Sequence, residues 1–217
     1  MYCWRCHTLG TFSRNVYSPA SAPPRRGPVR AGAVGAGTFG PKIGEWGFLG
    51  RLGKPFKMAV PGPPGGGKTS AVLQLCERMQ ETWGPVLFMA LDEGPESASF
   101  REKLARFEIR RTFIDYGSWA EIAATVAGGG WAVVAIDSIN RCPVPSFELD
   151  SYTRSMGVSW ILTQEVTKAG EPRGSNTWAH WADTVVTVAD GVACTGKNRY
   201  GISGAKKRIF GEEVPSE

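Results

Sequence analysis

The stretch that decides the fold is Gly62-Pro63-Pro64-Gly65-Gly66-Gly67-Lys68-Thr69, which fits the pattern G-x-x-x-x-G-K-[ST]. An apolar run at residues 56–60 precedes it, and apolar residues at helical spacing follow it. Glycines let backbone N–H groups converge on a phosphate where a Cβ would block the approach. The first turn of the following helix adds a partial positive charge. The stretch therefore predicts a phosphate-binding loop between a strand and a helix.

The loop predicts ATP and Mg²⁺ as ligands. We expect Lys68 to reach the β- and γ-phosphates and the Thr69 hydroxyl to ligate the metal. The predicted nucleotide contacts are the loop and the residue after it: Gly62, Pro63, Pro64, Gly65, Gly66, Gly67, Lys68, Thr69 and Ser70.

A second candidate metal residue ends another apolar run. Residues 131–136 read as a buried strand, and Asp137 follows at its carboxyl end. Carboxyl ends of parallel strands meet at one edge of a sheet, so Asp137 is expected beside the loop, holding Mg²⁺ through water. The alternative is an aspartate that caps the next helix.

Residues 86–91 form a similar run that ends in Asp92 and Glu93. One of these carboxylates is expected to polarise the water that attacks the γ-phosphate. Glu93 is favoured, with Asp92 close behind, because the register of a short strand is uncertain. Either residue is also compatible with a solvated carboxylate at a helix start.

The order of elements predicts an α/β fold. Strands are predicted at residues 56–60, 86–91, 113–114, 131–136, 158–162 and 184–188, and helices at residues 69–82, 97–107 and 119–127. Strands that alternate with helices at this spacing predict a mostly parallel sheet with helices on both faces, hence three layers.

The first part of the chain differs in composition. Residues 1–43 are predicted to be a flexible basic tail rich in Pro and Gly, and residues 44–217 the ATPase core. Residues 1–44 carry a formal charge of +6, and the rest of the chain sums to −1, which gives the net charge of +5. Such a tail can gather near phosphate backbones, or it is a solvated leader. Cys3 and Cys6 form a lone C-x-x-C, which does not favour zinc because a structural site needs four ligands.

No apolar run is long enough to cross a bilayer, which takes about 18 to 20 residues. The N-terminus lacks the apolar block of a secretory signal, and an organelle transit peptide is not favoured. Five scattered cysteines suit reduced thiols. We therefore expect a cytoplasmic protein with no membrane partner.

Several segments together resemble the RecA/RadA/DnaB branch of P-loop ATPases, most closely the ATPase core of the bacterial DNA repair protein RadA. Residues 135–139 (AIDSI) resemble its Walker B segment, and residues 86–93 resemble the strand that carries its catalytic acid. The more specific matches are VTKAG at residues 166–170, HWADTV at residues 180–185, and KNRYG at residues 197–201. The resemblance covers roughly residues 44–212 and implies a three-layer RecA-like P-loop core.

This resemblance implies an ATP-driven protein that acts on single-stranded or branched DNA in recombination and repair, assembled as a ring or filament. It places Gln164 where the branch senses the γ-phosphate. It implies a DNA-binding loop at residues 165–180 with Lys168, Arg173 and Trp178, although Trp178 is equally compatible with a core or subunit-contact position. Lys197 and Arg199 correspond to cations that reach a neighbouring subunit's ATP or contact DNA, or they are ordinary turn charges.

The chain also departs from the RadA pattern. It has one cysteine pair in place of a four-cysteine zinc ribbon, and no Lon-protease-like segment follows the core. A core-only ATPase, similar in plan to the small recombinase-like ATPases of phages, is therefore expected. The alternatives are a replicative-helicase-type motor, and a nucleotide-switched assembly protein with little turnover.

Overall fold

The computed structural model describes residues 30–31, 36–142, 144–167 and 177–211. Its centre is an eight-stranded sheet with the order β3-β2-β4-β5-β1-β6-β7-β8. The strands are β1 (Lys57–Gly62), β2 (Val86–Ala90), β3 (Phe113–Asp115), β4 (Val133–Asp137), β5 (Ser159–Glu165), β6 (Thr184–Ala189), β7 (Val192–Asn198) and β8 (Lys206–Arg208). Strands β1 to β6 pair in parallel, whereas β7 and β8 add an antiparallel edge.

The helices flank this sheet on both faces. They are α1 (Lys68–Thr82), α2 (Ala98–Arg106), α3 (Trp119–Ala127), α4 (Ser146–Met156) and α5 (Thr177–Trp181), with 3₁₀ turns at Gly44–Leu49 and Ile139–Arg141. Local signals explain several boundaries. The Ser97 hydroxyl accepts a hydrogen bond from the Phe100 amide at the start of α2, Ser118 and Glu121 form a capping box on α3, and Gly157 ends α4 in a left-handed conformation.

Alternating side chains of the central strands pack into two separate hydrophobic cores, one on each face of the sheet. On β2, Val86 and Phe88 pack into the core shared with α1, and Leu87 and Met89 pack into the opposite core. The neighbouring β4 divides its residues in the same way. Since a strand's side chains point to alternate faces, a sheet buried on both faces needs the continuous apolar runs seen in the sequence. The predicted three-layer α/β class is confirmed.

Packing against the core begins before Gly44, where the sequence predicted order to start. Phe39 pairs with Gly53 in an isolated bridge, and the Gly40 amide donates to the Leu52 carbonyl at 2.9 Å. Ile43 is buried in the α1 core. A Cβ on Gly40 would meet the Trp83 ring at 2.0 Å, so only glycine lets the chain pass this close.

Some residues for which the sequence made predictions lie outside the described ranges: Cys3, Cys6, most of the proposed tail, Lys168 and Arg173. Helices α4 and α5 and strands β7 and β8 were not predicted, and α5 begins inside the segment expected to be a loop. Within the described ranges, no helix combines the length and apolarity that a membrane span requires.

Candidate active site

The predicted loop joins β1 to α1 at the carboxyl edge of the parallel strands. Its backbone lies close to its surroundings at Gly62, where a Cβ would come within 2.0 Å of the Val188 carbonyl oxygen. Gly67 precedes the first helical residue with φ of 99°, a value that favours glycine. The loop can therefore take this shape only with glycine at these two positions, and glycine has no Cβ to block an anion that approaches the backbone.

Hydrogen bonds brace the loop from three directions. The Gly66 amide donates to the Pro63 carbonyl at 3.1 Å within the loop. From the turn between β6 and β7, the Gly191 amide donates to the Gly66 carbonyl at 3.2 Å. From the end of β5, the Val166 amide donates to the Gly62 carbonyl at 3.1 Å. The loop is thus fixed by both neighbours of β1 in the sheet.

The Lys68 side chain is largely buried and curls over its own loop. Its ammonium donates to the carbonyl of Gly62 at 3.0 Å and to that of Pro63 at 2.9 Å. Burial lowers the pKa of Lys68, and the carboxylates of Asp137, Glu165 and Asp92 partly offset this effect. The charged form of the Lys68 ammonium is therefore stabilised by the acidic residues around the loop.

Asp137 lies at the tip of β4, buried beside the loop. One carboxylate oxygen accepts a hydrogen bond from the Thr69 hydroxyl at 2.7 Å, and the other accepts one from the Thr163 hydroxyl at 2.5 Å. Burial raises the pKa of Asp137, while the two hydroxyl bonds act in the opposite direction. The structure thus brings Lys68, Thr69 and Asp137 together at one point.

The two candidate bases have different surroundings. Glu93 forms an ion pair with Lys103 and accepts a hydrogen bond from the Ser99 hydroxyl at 3.1 Å. Asp92 pairs with Arg141 at 3.2 Å, and its charge acts on both Lys68 and Asp137. Its amide also donates to the Asp137 carbonyl at 2.9 Å, which ties it to the tip of β4. Both carboxylates line the site, and Asp92 is the one whose charge acts on the Lys68–Asp137 pair.

A cavity of about 180 Å³ opens over the loop. Its walls include the loop, Asp92, Glu93 and Asp137, and also three residues that the sequence analysis did not identify: Lys103, Glu165 and Phe210. Glu165 and the buried Thr163 could have been suspected from the polar run that ends an apolar strand at residues 158–162. Phe210 left no such signal, because it lies far along the chain beyond an unpredicted hairpin.

The remaining predicted residues lie at various distances from this cavity. Gln164 is buried at the end of β5, next to Glu165. The Lys197 ammonium donates to the carbonyls of Ala179, His180 and Ala182, which caps the end of α5. Arg199 is exposed and pairs with Asp183 at 3.1 Å. None of these three lines the cavity.

Trp178 lies on α5 and is half-buried. Its ring meets that of Trp181 edge-on at 5.4 Å and packs against the core on the α3 and α4 side of the sheet. Trp178 is thus partly buried against the core, and the DNA-binding role expected of it stays a prediction. The other two residues proposed for the DNA loop, Lys168 and Arg173, lie outside the described ranges.

The residues present suit a magnesium–nucleotide complex. Thr69 and Asp137 offer oxygen atoms, the ligands that Mg²⁺ takes, and their side chains already touch. The glycine cradle and the start of a 15-residue helix suit the phosphates. The arrangement therefore fits a cation and a polyphosphate side by side.

Comparisons with known proteins establish the fold. No protein-family model matches the chain, and no curated protein matches it. A KaiC-like protein from the hyperthermophilic archaeon Pyrococcus horikoshii is similar with a TM-score of 0.56 and 18% identity, over 72% of this chain and 86% of that one. The ATPase domain of G40P is similar with a TM-score of 0.53 and 15% identity, over 71% of this chain and 80% of that one.

These similarities show that the chain has a RecA-like P-loop ATPase fold. Neither of them distinguishes RadA-like repair proteins from the rest of that fold. At such low identity, the fold alone is established, and the residues of the site must carry any argument about activity.

Proposed function

We propose that this chain binds Mg·ATP at the loop and hydrolyses it. The observation that carries the proposal is the contact between the Thr69 hydroxyl and the Asp137 carboxylate, 2.7 Å long, beside Lys68 in one cavity. A phosphate-binding loop can occur without catalysis. A buried acid at the tip of a neighbouring strand, touching the loop's own hydroxyl, supplies the second half of a metal site.

Each residue then has a defined part in binding. The loop amides and Lys68 hold the phosphates, and Lys68 places its positive charge where negative charge grows during transfer. Thr69 and Asp137 would hold Mg²⁺, which supplies charge neutralisation at the phosphate oxygens. Thr163 keeps the Asp137 carboxylate in one orientation through its hydroxyl.

Asp92 is the base that we propose, in place of the Glu93 favoured from the sequence. Support comes from the action of its charge on Lys68 and Asp137 and from the hydrogen bond of its amide to the Asp137 carbonyl. Each candidate forms an ion pair, Asp92 with Arg141 and Glu93 with Lys103, and that pair must open for the carboxylate to act as a base. A base must lie within hydrogen-bond reach of the attacking water, so proximity to the phosphate site decides between neighbours.

The first experiment tests binding. Lys68→Ala should lower ATP affinity and turnover at least about 100-fold, because a buried cation at the phosphates is lost. Lys42→Ala, an exposed lysine outside the cavity wall, is the matched control and should behave as wild type. Isothermal titration and phosphate release measure the two effects. Unchanged ATP binding in Lys68→Ala would refute the proposal.

The second experiment separates the two candidate bases. Asp92→Asn should lower turnover by roughly 100-fold and keep ATP affinity, since general-base catalysis contributes about 10² to 10⁴. Glu93→Gln should retain turnover within a few-fold. The opposite pattern would restore Glu93 as the base, and normal turnover in both variants would remove this step from the proposal.

We further propose that DNA is the partner and that single-stranded or branched DNA stimulates turnover. Support comes from the resemblance to RadA and from the register of β5, in which Glu165 lies opposite Gly62 of the loop. The segment after β5 therefore starts beside the phosphate site. ATP turnover across single-stranded, duplex and forked DNA tests this, and turnover that no DNA changes would favour a nucleotide-switched assembly protein.

Assembly into a ring or filament is part of the same proposal. Arg199 lies exposed on its own chain's Asp183, so a role in a neighbour's site requires that ion pair to open. Mixing Arg199→Ala with Lys68→Ala subunits should then restore part of the activity, because each mixed contact keeps one intact site. Absence of recovery at every mixing ratio would count against a shared site.

A further inference from the structure

Phe210 is an exposed aromatic residue at the rim of the phosphate cavity. Its side chain lines that cavity together with Gly67, Lys68 and Ser70, and the residue is 42% exposed. The ring lies directly on the loop: a Cβ added to Gly67 would meet it at 3.0 Å, and one added to Gly191 would meet it at 2.8 Å. One edge of the ring thus rests on two backbones without side chains, and part of the ring lines the cavity.

The main chain fixes this ring relative to the loop. The Ile209 amide donates to the Gly191 carbonyl at 2.8 Å, and the Gly191 amide donates to Gly66 of the loop at 3.2 Å. On the other side, the Gln74 side-chain amide of α1 donates to the Ile209 carbonyl at 3.2 Å. Loop, α1 and Phe210 are therefore held in one hydrogen-bonded array, which suits a binding surface that needs a defined position.

A second aromatic ring continues the surface. Phe107, at the end of α2, packs against Phe210 with ring centres 5.8 Å apart and planes tilted by 41°. The Arg106 guanidinium lies 5.2 Å from the Phe210 ring, within cation–π range. Beyond Phe107 lies a larger cavity of about 370 Å³, walled by Phe107, Gln74 and charged side chains.

The two cavities follow the same face of α1. Ser70 lines the phosphate cavity, whereas Gln74 and Arg78 line the larger one. Residues four apart on a helix lie one above the other, so this face leads away from the loop past the Phe107–Phe210 pair. A ligand with phosphates at the loop and a flat ring at its other end would reach this pair next.

We propose that Phe210, extended by Phe107, is the platform on which the base of a nucleoside triphosphate bound at the loop stacks. This inference rests on the proposed function, since it needs a triphosphate at the loop. An aromatic face binds the π-surface of a base, and a ring held on the loop binds it without a cost of reordering. The base occupies the start of the larger cavity, and Arg106 lies against the aromatic pair.

The experiment compares ATP with inorganic triphosphate, which has the phosphates and lacks the base. Phe210→Ala should lower ATP affinity by about tenfold, the effect expected of one base–aromatic stack. Its affinity for inorganic triphosphate should stay at the wild-type value. Phe210→Tyr should keep the wild-type affinity for ATP, and Phe210→Leu should behave like Phe210→Ala although it retains apolar bulk over Gly67.

Phe147→Ala is the matched control, since Phe147 is a 66% exposed phenylalanine outside the cavity. Full ATP affinity in Phe210→Ala would overturn the platform. An equal loss of ATP and triphosphate affinity would also overturn it, because Phe210 would then only support the loop. Wild-type protein that binds neither ligand would instead overturn the proposed function, on which the platform depends.

Discussion

Asp137 and Glu77 are both buried carboxylates, one beside the phosphate loop and the other further along α1, and their surroundings differ. Asp137, on β4, accepts hydrogen bonds from the neutral hydroxyls of Thr69 and Thr163, and burial raises its pKa. Glu77, on α1, is also desolvated by burial. Side-chain and backbone hydrogen bonds from Thr112 and Arg111 outweigh that desolvation and lower its pKa.

The difference separates a structural acid from one suited to bind a cation. Glu77 is satisfied within the fold, because the Arg111 guanidinium pairs with it at 3.1 Å and two backbone amides donate to it. Among the described residues, no Lys or Arg forms an ion pair with Asp137. A buried carboxylate with neutral partners has strong affinity for a cation, since the cation offsets its desolvation. Glu77 instead anchors the segment before β3 to α1.

Exchanging each acid for its amide gives the largest expected effect. Asp137→Asn should lower ATP turnover by roughly 100- to 1,000-fold, because the carboxylate that we propose to hold Mg²⁺ loses its charge. Its stability should match or exceed that of wild type, since a buried charge disappears. Glu77→Gln should keep turnover within a few-fold and lose stability. Phosphate release and urea unfolding give the two readouts.

The comparison fails if the two variants exchange phenotypes. Loss of turnover in Glu77→Gln with a normal unfolding midpoint would place Glu77 in the chemistry. Normal turnover in Asp137→Asn would mean that Asp137 is not the acid that holds the metal.

The next effect is on stability alone. Glu77→Ala should lower the free energy of unfolding by about 3 kcal/mol, because the amides and hydroxyl that bonded to Glu77 are left buried without an acceptor. Glu102→Ala, at an exposed position on α2, is the control and should change it by less than about 0.5 kcal/mol. Equal values for the two variants would mean that Glu77 anchors nothing.

Only part of this fold could be predicted from the sequence. The apolar runs at residues 86–91 and 131–136 predicted β2 and β4, because a strand buried on both faces leaves a continuous signal. The hairpin of β7 and β8 was missed. Its alternation is interrupted by Gly196, Lys197 and Asn198, and an antiparallel edge exposed to solvent needs few apolar residues.

At the site, residues next to each other in sequence were the predictable ones. The loop pattern named Gly62 to Ser70, and a strand end named Asp137. The surroundings that we use to propose Asp92 over Glu93 come from the structure, because the ion pairs of Glu93 with Lys103 and of Asp92 with Arg141 have no sequence signal. Phe210 and Thr163 come from separate strands or turns that only the sheet order places beside the loop.

A smaller effect is expected from the two threonines that bond these acids. The Thr163 hydroxyl donates to Asp137 at 2.5 Å, and the Thr112 hydroxyl donates to Glu77 at 2.9 Å. Thr163→Val should lower turnover by about tenfold, since a hydrogen bond to a charged group contributes about 1.5 kcal/mol. Thr112→Val should leave turnover unchanged and lower the unfolding free energy by a similar amount.

Because valine matches threonine in shape, each substitution removes little more than one hydroxyl. A loss of turnover in Thr112→Val comparable to that in Thr163→Val would indicate that both acids act on the site. The distinction between the structural acid and the metal-binding acid would then not hold.

The smallest effect is a dependence of stability on pH. The pKa of Glu77 is lower in the folded chain than its ordinary value near 4.5, so its ionised form stabilises the fold. This contribution is complete above that ordinary value and is lost as the pH falls through the lower folded pKa. Asp137 acts with the opposite sign, because its raised pKa means that protonation relieves a buried charge.

The Asp137 contribution cancels when the unfolding free energy of Glu77→Gln is subtracted from that of wild type at each pH. Urea unfolding from pH 7 down to pH 3 should therefore give a difference that is constant at neutral pH and shrinks in acid, whereas a constant difference throughout would mean that the charge of Glu77 does not stabilise the fold.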